Sequence, residues 1–478
     1  MRNKICFNAL SFLITLFLSV FALAPRCKFL METEKSKWPP PKILYNIGSR
    51  GVLFEKVVCK NNKVYVLAGD QVKYLGVIFL FFIYDLKEGK WYGPERVGEK
   101  IRNEILAHNK ELLKKYEPYE PRYGDYLITH FPEFDVDEEG RVHLFADVSF
   151  VIDKGSVRGV PPPTYVKAYT IYLRREPDGR WEEQIFKSFP PDEYPIYPLE
   201  NTGIYMPDSS PNWVSAFGKK LAVGIYLGYN LVLKPEDEWQ DPERHFIYMI
   251  RDEEGNWEEY DLADLLPEMK EVGTKPWQAD AGVIGEDGNV YGVIWQMPTY
   301  YTEGVEVKAL FLKIDTKEKK FKRIRRMVEL ERGKKFEELF GNWNMKMKGN
   351  VVYYASLWPD GNIYLDSWEL LGDEVENIKS EVVGKVAWLK NLSFEVKKNI
   401  YLLNALNFHR KEGNRWIMEH VLTQDVIEKY KIEQVLGRDM CVDDEGYAWV
   451  FFAATERSPN PFTAPPILNI YYVRKKVE

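Results

Sequence analysis

Met440-Cys441-Val442-Asp443-Asp444-Glu445-Gly446-Tyr447-Ala448-Trp449 is an apolar run, a tight acidic turn and a second apolar run. The same pattern recurs as Phe134-Asp135-Val136-Asp137-Glu138-Glu139-Gly140-Arg141-Val142-His143. It returns as Gly282-Val283-Ile284-Gly285-Glu286-Asp287-Gly288-Asn289-Val290-Tyr291, and, with an Asn turn, as Val57-Val58-Cys59-Lys60-Asn61-Asn62-Lys63-Val64-Tyr65-Val66. Self-similarity of this kind decides architecture before any single motif does. Each copy reads as a β-hairpin, because Gly or Asn supplies the positive φ that a tight turn needs.

A second kind of hairpin follows each copy, with an aromatic just past its turn. Examples are Arg174-Arg175-Glu176-Pro177-Asp178-Gly179-Arg180-Trp181 and Arg251-Asp252-Glu253-Glu254-Gly255-Asn256-Trp257. Two hairpins in series make a four-stranded antiparallel sheet whose faces only neighbouring sheets can bury. A ring of such sheets is a β-propeller. The expected fold is therefore all-β: a propeller of six blades, starting near residues 54, 130, 210, 278, 342 and 438. The span from 342 to 438 is long enough for a seventh blade, and carries an extra hairpin around Trp358 to Tyr364. Short helices are expected between blades, at Arg96 to Tyr116, Asp261 to Val272, Leu330 to Phe340 and Thr423 to Leu436.

The chain divides into 1–30, 31–53 and 54–478. Residues 1–30 hold Arg2 and Lys4 followed by an apolar run from Ile5 to Ala24. Basic residues before such a run mark an export signal or a retained membrane anchor. Residues 31–53 read as a linker with a ring-closing strand near Lys42 to Ile47, and 54–478 as the propeller. The expected location is extracytoplasmic, secreted or tethered by the amino-terminal segment. Cys59 and Cys441 occupy matching places in the first and last repeats. They are either two small buried side chains or a disulfide across the closure.

Net charge is −7 over 478 residues, with both signs interspersed. That balance predicts a surface without a basic stripe and no nucleic-acid partner. Lys and Glu abundance resembles a thermophile's bias. No HExxH, Walker, Rossmann-glycine or Gly-x-Ser-x-Gly pattern occurs. No cofactor is expected. A structural calcium at Asp135, Asp137 and Glu139 is weighed against ordinary solvated turn charges.

Geometry places the candidate site. If the first-hairpin turns lie at one end of the ring, the starts of first strands and ends of second strands meet at the other. Polar and aromatic residues gather there, and ligands favour such convergent positions. The candidates for acid, base or cation are His130, Asp208, Asp280, Asp439, Tyr229 and Arg438. Those for ligand contact are Asn212, Trp277, Gln278, Trp295, Gln296, Asn342, Trp343, Asn344, Trp358 and Arg457.

The strand–(D/E)xxGx–strand module, with Asp178-Gly179-Arg180-Trp181 and Glu254-Gly255-Asn256-Trp257, resembles the BNR-repeat, sialidase-like propellers. That group includes polysaccharide lyases and glycosidases. The full Ser-x-Asp-x-Gly-x-Thr-Trp box and an Arg-Ile-Pro signature are absent, so no catalytic residue is transferred. Two functional readings follow. The first is a non-catalytic surface protein that binds a glycan or protein ligand at the channel. The alternative is a carbohydrate-active enzyme, using His130, Tyr229, Arg438 and Arg457 as a lyase or Asp208, Asp280 and Asp439 as a glycosidase.

Overall fold

A computed structural model describes residues 38–48, 54–72, 75–113, 126–152, 164–189, 205–231, 244–265, 278–296, 308–318, 320–327, 344–357, 361–372, 374–385, 392–456 and 467–478. Among these described residues, twenty-eight strands form seven four-stranded antiparallel sheets. Blade 1 holds β2 to β5 (Phe54–Lys60, Lys63–Val72, Gly76–Asp85, Lys90–Val97) and blade 2 holds β6 to β9 (Tyr126–Val136, Val142–Ile152, Thr164–Arg175, Trp181–Phe189). Blade 3 holds β10 to β13 (Tyr205–Phe217, Lys220–Leu231, Arg244–Arg251, Trp257–Asp261), and blade 4 holds β14 to β17 (Gln278–Ile284, Val290–Gln296, Lys308–Asp315, Lys320–Met327). Blade 5 holds β18 to β21 (Asn344–Lys348, Val351–Leu357, Asn362–Leu371, Glu374–Lys385), and blade 6 holds β22 to β25 (Leu392–Val396, Ile400–Asn404, Asn407–Glu412, Arg415–His420). Blade 7 combines β26 to β28 (Ile432–Val442, Tyr447–Glu456, Ile467–Lys476) with β1 (Lys42–Gly48), which pairs outside β28.

The innermost strands β2, β6, β10, β14, β18, β22 and β26 each pack on the next, and β26 returns to β2. The ring thus closes with seven blades, not six. The seventh is Leu392–His420, while β19 and β20, on either side of the hairpin expected near Trp358, are the two middle strands of blade 5. Blade 6 escapes the repeat because its first turn, Lys397-Lys398-Asn399, carries neither acid nor glycine. The expected amino-terminal strand is present and supplies the last blade with its outermost strand. Cys59 and Cys441 form a disulfide between blades 1 and 7, with Cα atoms 5.5 Å apart across 382 residues of sequence.

Five turns share one geometry. The N–H of Asp137, Glu176, Asp252, Gly285 and Asp443 each donates to the carbonyl four residues on, and the glycine three residues on donates back. Those glycines all have φ between +77° and +98°. The repetition seen in sequence is therefore a repetition of backbone hydrogen bonding.

Middle strands are buried on both faces and read as continuous apolar runs. In β3, Tyr65 and Leu67 pack toward blade 2, and Val64, Val66 and Ala68 toward blade 7. Burying each such large side chain contributes roughly 1.5–3 kcal/mol. Trp213 shows how tight the blades are. A Cβ built on Gly224 or Gly282 would lie 2.2 Å from the indole, so only glycine admits the ring there.

Helix α1 (Glu99–Leu113) lies between blades 1 and 2, α2 (Leu262–Leu265) between 3 and 4, and α3 (Gln424–Lys429) between 6 and 7. The first is capped from a distance: the N–H groups of Gly98 and Ile101 donate to Glu183 of β9 at 3.0 and 2.9 Å. The helix expected to reach Leu436 stops early, because Ile432 onward joins the innermost strand of blade 7. The expected helix at Leu330 to Phe340 and the amino-terminal segment 1–30 lie outside the described residues. Among the described residues no helix is long and apolar enough to cross a membrane.

One basic run stands apart from the interspersed charges expected of the sequence. Lys320, Lys322, Arg323, Arg325 and Arg326 fall within the eight residues of β17, the outermost strand of blade 4. The chain-wide balance averages this run away.

Candidate functional site

Polar side chains of the innermost strands lace neighbouring blades around the axis. Lys56 pairs with Glu133, joining blades 1 and 2. The Ala216 N–H donates to Asp135 Oδ2 at 2.8 Å, joining 2 and 3. The Ile284 N–H donates to Ser215 Oγ at 3.1 Å, joining 3 and 4. Lys346 pairs with Glu395 at 3.3 Å, joining 5 and 6. Ser393 bonds to the Asp439 carboxyl, and the Val57 N–H donates to Asp439 Oδ2 at 2.8 Å, joining 6 to 7 and 7 to 1. Six of the seven blade junctions are bridged in this way among the described residues.

Asp439 stands out electrostatically. Burial pushes its carboxyl up to about 6, against the opposing effects of the Ser393 bond, the Val57 N–H and the nearby Lys56 charge. The side chain is nevertheless only half-buried by surface, so a proton can reach it. Lys346 shifts the other way. Burial works against its ammonium, but Glu395, Asp135 and Asp439 together outweigh burial and hold its pKa above the ordinary lysine value. The channel therefore gathers four carboxyl groups and two ammonium groups from five blades. One of those carboxyls titrates within the range useful for proton transfer.

Arg438 precedes Asp439 in β26 and is 5% exposed. Its Nε has no hydrogen-bond partner, and burial alone brings its pKa down to about 10. Among the described residues no carboxylate is paired with it, and a buried guanidinium is costly unless an anion matches it.

Irregular pairing shapes the innermost strands. Five of the seven, β2, β6, β10, β14 and β26, carry a register shift. Such bulges re-aim side chains and often lie beside sites. Asn212 and Asp280 are themselves the extra residues, between Pro211 and Trp213 and between Ala279 and Ala281. His130 ends the regular stretch of β6 and lies opposite Asp147. Asp208 lies opposite Gly228, next to the pair Pro207–Tyr229. Gln278 lies opposite Trp295, and Gln296 opposite Lys308. Asn344, half-buried, opens β18 opposite Ala355. Trp277, Asn342, Trp343, Trp358 and Arg457 lie outside the described residues.

Of the sequence candidates among the described residues, Asp439 belongs to the girdle that laces the blades, with Arg438 beside it. Lys56, Glu133, Ser215, Lys346, Ser393 and Glu395 were missed, and Asp135 was weighed only as a calcium ligand. Glu133, Asp135, Ser215 and Glu395 lie in the halves of their strands nearer the hairpin turns, and Lys56, Lys346 and Ser393 at or before the middle of theirs, where the sequence shows only one more polar residue in an alternating strand. A signal did exist: Glu133 and Asp439 each stand four residues ahead of a turn aspartate, Asp137 and Asp443.

Those turn aspartates have structural work. Asp137 Oδ1 accepts the N–H groups of Glu139 and Arg141 at 3.0 and 2.9 Å, and Asp443 Oδ1 does the same for Glu445 and Tyr447 at the same distances. Asp137 Oδ2 takes Arg141 Nε at 2.6 Å and faces His143 Nε2 at 3.2 Å. Asp443 Oδ2 takes the Trp449 indole N–H at 2.8 Å. Among the described residues no group of three His, Cys, Asp or Glu side chains is placed to hold a metal ion.

No protein-family model matches the chain, and no curated protein sequence matches it. Among solved structures it is similar to the Trypanosoma rangeli sialidase, at 10% identity and a TM-score of 0.39 over 72% of this chain and 54% of that one. The chain thus spans about half that enzyme's length. It is also similar to the phage phi92 endosialidase (11% identity, TM-score 0.40, 93% and 70% covered). A third is the polysaccharide lyase Uly1 (10% identity, TM-score 0.38, 94% of each chain).

Proposed function

We propose that the chain is an exported propeller enzyme that cleaves an acidic glycan over its central channel, with Asp439 handling the proton. The observation that carries this is the Asp439 carboxyl, held at about 6 among the channel charges. General acid–base groups work best near the operating pH, and burial is the usual way a carboxyl is brought there. Lys56, Lys346 and Arg438 supply the cations that an acidic sugar needs. Export is supported by the Cys59–Cys441 disulfide, since such bonds persist in oxidising compartments. The basic and apolar amino-terminal sequence supports it as well.

A second reading, a glycan-binding propeller without turnover, is favoured by a different observation. Asp439 already accepts the Val57 and Met440 N–H groups, at 2.8 Å each, so its carboxyl also holds blades together.

Release of reducing ends from polygalacturonate and hyaluronan tests the choice. Wild type should cleave one of them with a pH limb near 6. Asp439→Asn keeps an oxygen for Val57 and should fold, yet lose turnover on the order of 100-fold, the usual worth of general acid–base catalysis. Undiminished cleavage by Asp439→Asn would remove the proton role. Retention of the glycan without cleavage by wild type would establish the second reading. His130→Ala and Asp280→Ala test whether the mouth takes part.

A further inference from the structure

We infer that the Cys59–Cys441 disulfide is a positioning element for Asp439, holding β26 at the distance from β2 that the Asp439 carboxyl spans to the Val57 N–H. Asp439 and Cys441 stand two residues apart in β26, and Val57 and Cys59 two apart in β2. Residues two apart in a strand point to the same side. Asp439 and Cys441 therefore both reach toward blade 1, where the Asp439 Oδ2 accepts the Val57 N–H at 2.8 Å and Cys441 meets Cys59. The bridge sits about 7 Å along both strands from that hydrogen bond.

The stretch between them is straight. The pairing of β2 with β3 is regular from Lys56 to Lys60, and that of β26 with β27 from Gly437 to Val442. The register shifts of both strands lie outside these segments, so no bulge separates the bridge from the bond or absorbs a movement of one strand against the other. Among the described residues no other hydrogen bond or ion pair joins β2 to β26. Across the closing sheet, β26 is tied to β2 through the pairing of β28 with β1, a noncovalent ladder with two register shifts. The disulfide bypasses that ladder and acts on the innermost strands themselves.

Distances set what is at stake. Hydrogen bonds fail beyond about 3.5 Å, so the Val57 bond at 2.8 Å survives about 0.7 Å of parting. A disulfide confines its Cα atoms to about 4.4–6.8 Å, a restraint of the same order, and here they lie 5.5 Å apart. Parting would cost Asp439 the N–H, which raises a carboxyl's pKa, and admit water, which lowers it. Burial is the largest influence on this group, so water decides the sign. Breaking the bridge should bring the carboxyl down from about 6 toward the ordinary aspartate value of about 4. Any effect on turnover rests on the proton role proposed above; the positioning does not.

Hydrogen exchange and carbon-13 NMR of aspartate carboxyls test this on the full chain, in detergent if the amino-terminal run is retained. In Cys59→Ala with Cys441→Ala, the Val57 amide should exchange faster by on the order of 10-fold, the weight of one hydrogen bond to a charged group. The Ala216 amide, which makes the same kind of bond to Asp135 between blades 2 and 3, should keep its rate. The Asp439 resonance, identified by its absence from Asp439→Asn, should titrate nearer 4 than 6 once the bridge is gone. Cys59→Ala alone also breaks the bridge and serves where the double variant does not fold, as melting curves show. Unchanged exchange at Val57, or an Asp439 midpoint that stays near 6 or rises, would overturn the proposal. So would equal acceleration at Ala216, because the bridge would then only stiffen the whole ring. A midpoint that falls while the pH limb of glycan cleavage stays put would uphold the positioning and remove the proton role of Asp439 instead.

Discussion

His409 shows what one side chain can cost this fold. It is 2% exposed at the junction of blades 5 and 6, and neither ring nitrogen has a hydrogen-bond partner. The fit is close enough that a Cβ on Gly384 would lie 2.8 Å from its Cε1. Burial, helped by the neighbouring His420 charge, lowers its pKa to about 4. In the unfolded chain the ring titrates near 6.5, so between pH 6.5 and 4 the unfolded state binds more protons. Stability contributed by the neutral ring is therefore complete above about pH 6.5 and is lost as pH falls through 4. A shift of this size corresponds to about 3 kcal/mol. Urea unfolding at pH 7 and pH 4.5 should show a loss of that order in wild type and a smaller one in His409→Leu. An equal loss in both would clear this residue. Neither the burial of His409 nor the lifted pKa of Asp439 was legible in sequence, because each depends on a neighbouring blade. The turn aspartates Asp137 and Asp443 were legible as turns, and the hydrogen bonds of their carboxylates explain why: the partners lie within six residues, apart from Arg474 at Asp443.

At the scale of elements, two turns with the same φ should respond differently to the same substitution. Gly446 and Gly288 both sit at +77°. A Cβ on Gly446 would come within 2.6 Å of Glu478 Cβ, whereas on Gly288 it would meet only the flexible tip of Lys220 at 2.8 Å. The last residues are also tied in place, since Val477 and Glu478 donate to the Gly446 carbonyl. Gly446→Ala should cost roughly 2–3 kcal/mol, combining strained φ with a displaced terminus, and Gly288→Ala about 1 kcal/mol. Thermal melts of the two variants check the order, and equal costs would discard the steric argument. The blade with the Lys397-Lys398-Asn399 turn makes the complementary point. Its strands β22 to β25 are as regular as the others, but they are held by packing rather than by turn chemistry. A reading based on turns therefore passed over it.

At the scale of the whole molecule, closure is built from both ends of the chain. β1 pairs with β28, and Cys59 is joined to Cys441 one blade further round. The junction also holds a dense aromatic cluster, with Trp91 and Trp449 at 6.3 Å and Trp449 and Tyr472 at 5.8 Å. Cys59→Ser with Cys441→Ser should destabilise by roughly 2–5 kcal/mol, because the cross-link limits the unfolded chain most where the loop is longest. The propeller should remain folded at 25 °C through the packing and β1. Calorimetry and limited proteolysis of the double variant check this. Unfolding at room temperature would show the closure to depend on the covalent bond alone.

The amino-acid sequence by itself determined the hairpins, their order, the antiparallel four-stranded unit and the amino-terminal strand that completes the ring. These follow from short-range rules, period-2 alternation and glycine turns, which act over about ten residues. Only the tertiary structure decided the blade count, the disulfide and the set of charges that meets on the axis. Blade number depends on how sheets twist and stack until the ring closes, and that is a property of all the inter-blade faces together. The axial girdle joins residues as far apart as Val57 and Asp439, which no local pattern could pair. The electrostatics of Asp439 exist only once the neighbouring blades have partly buried it and brought Val57, Ser393 and Lys56 to it.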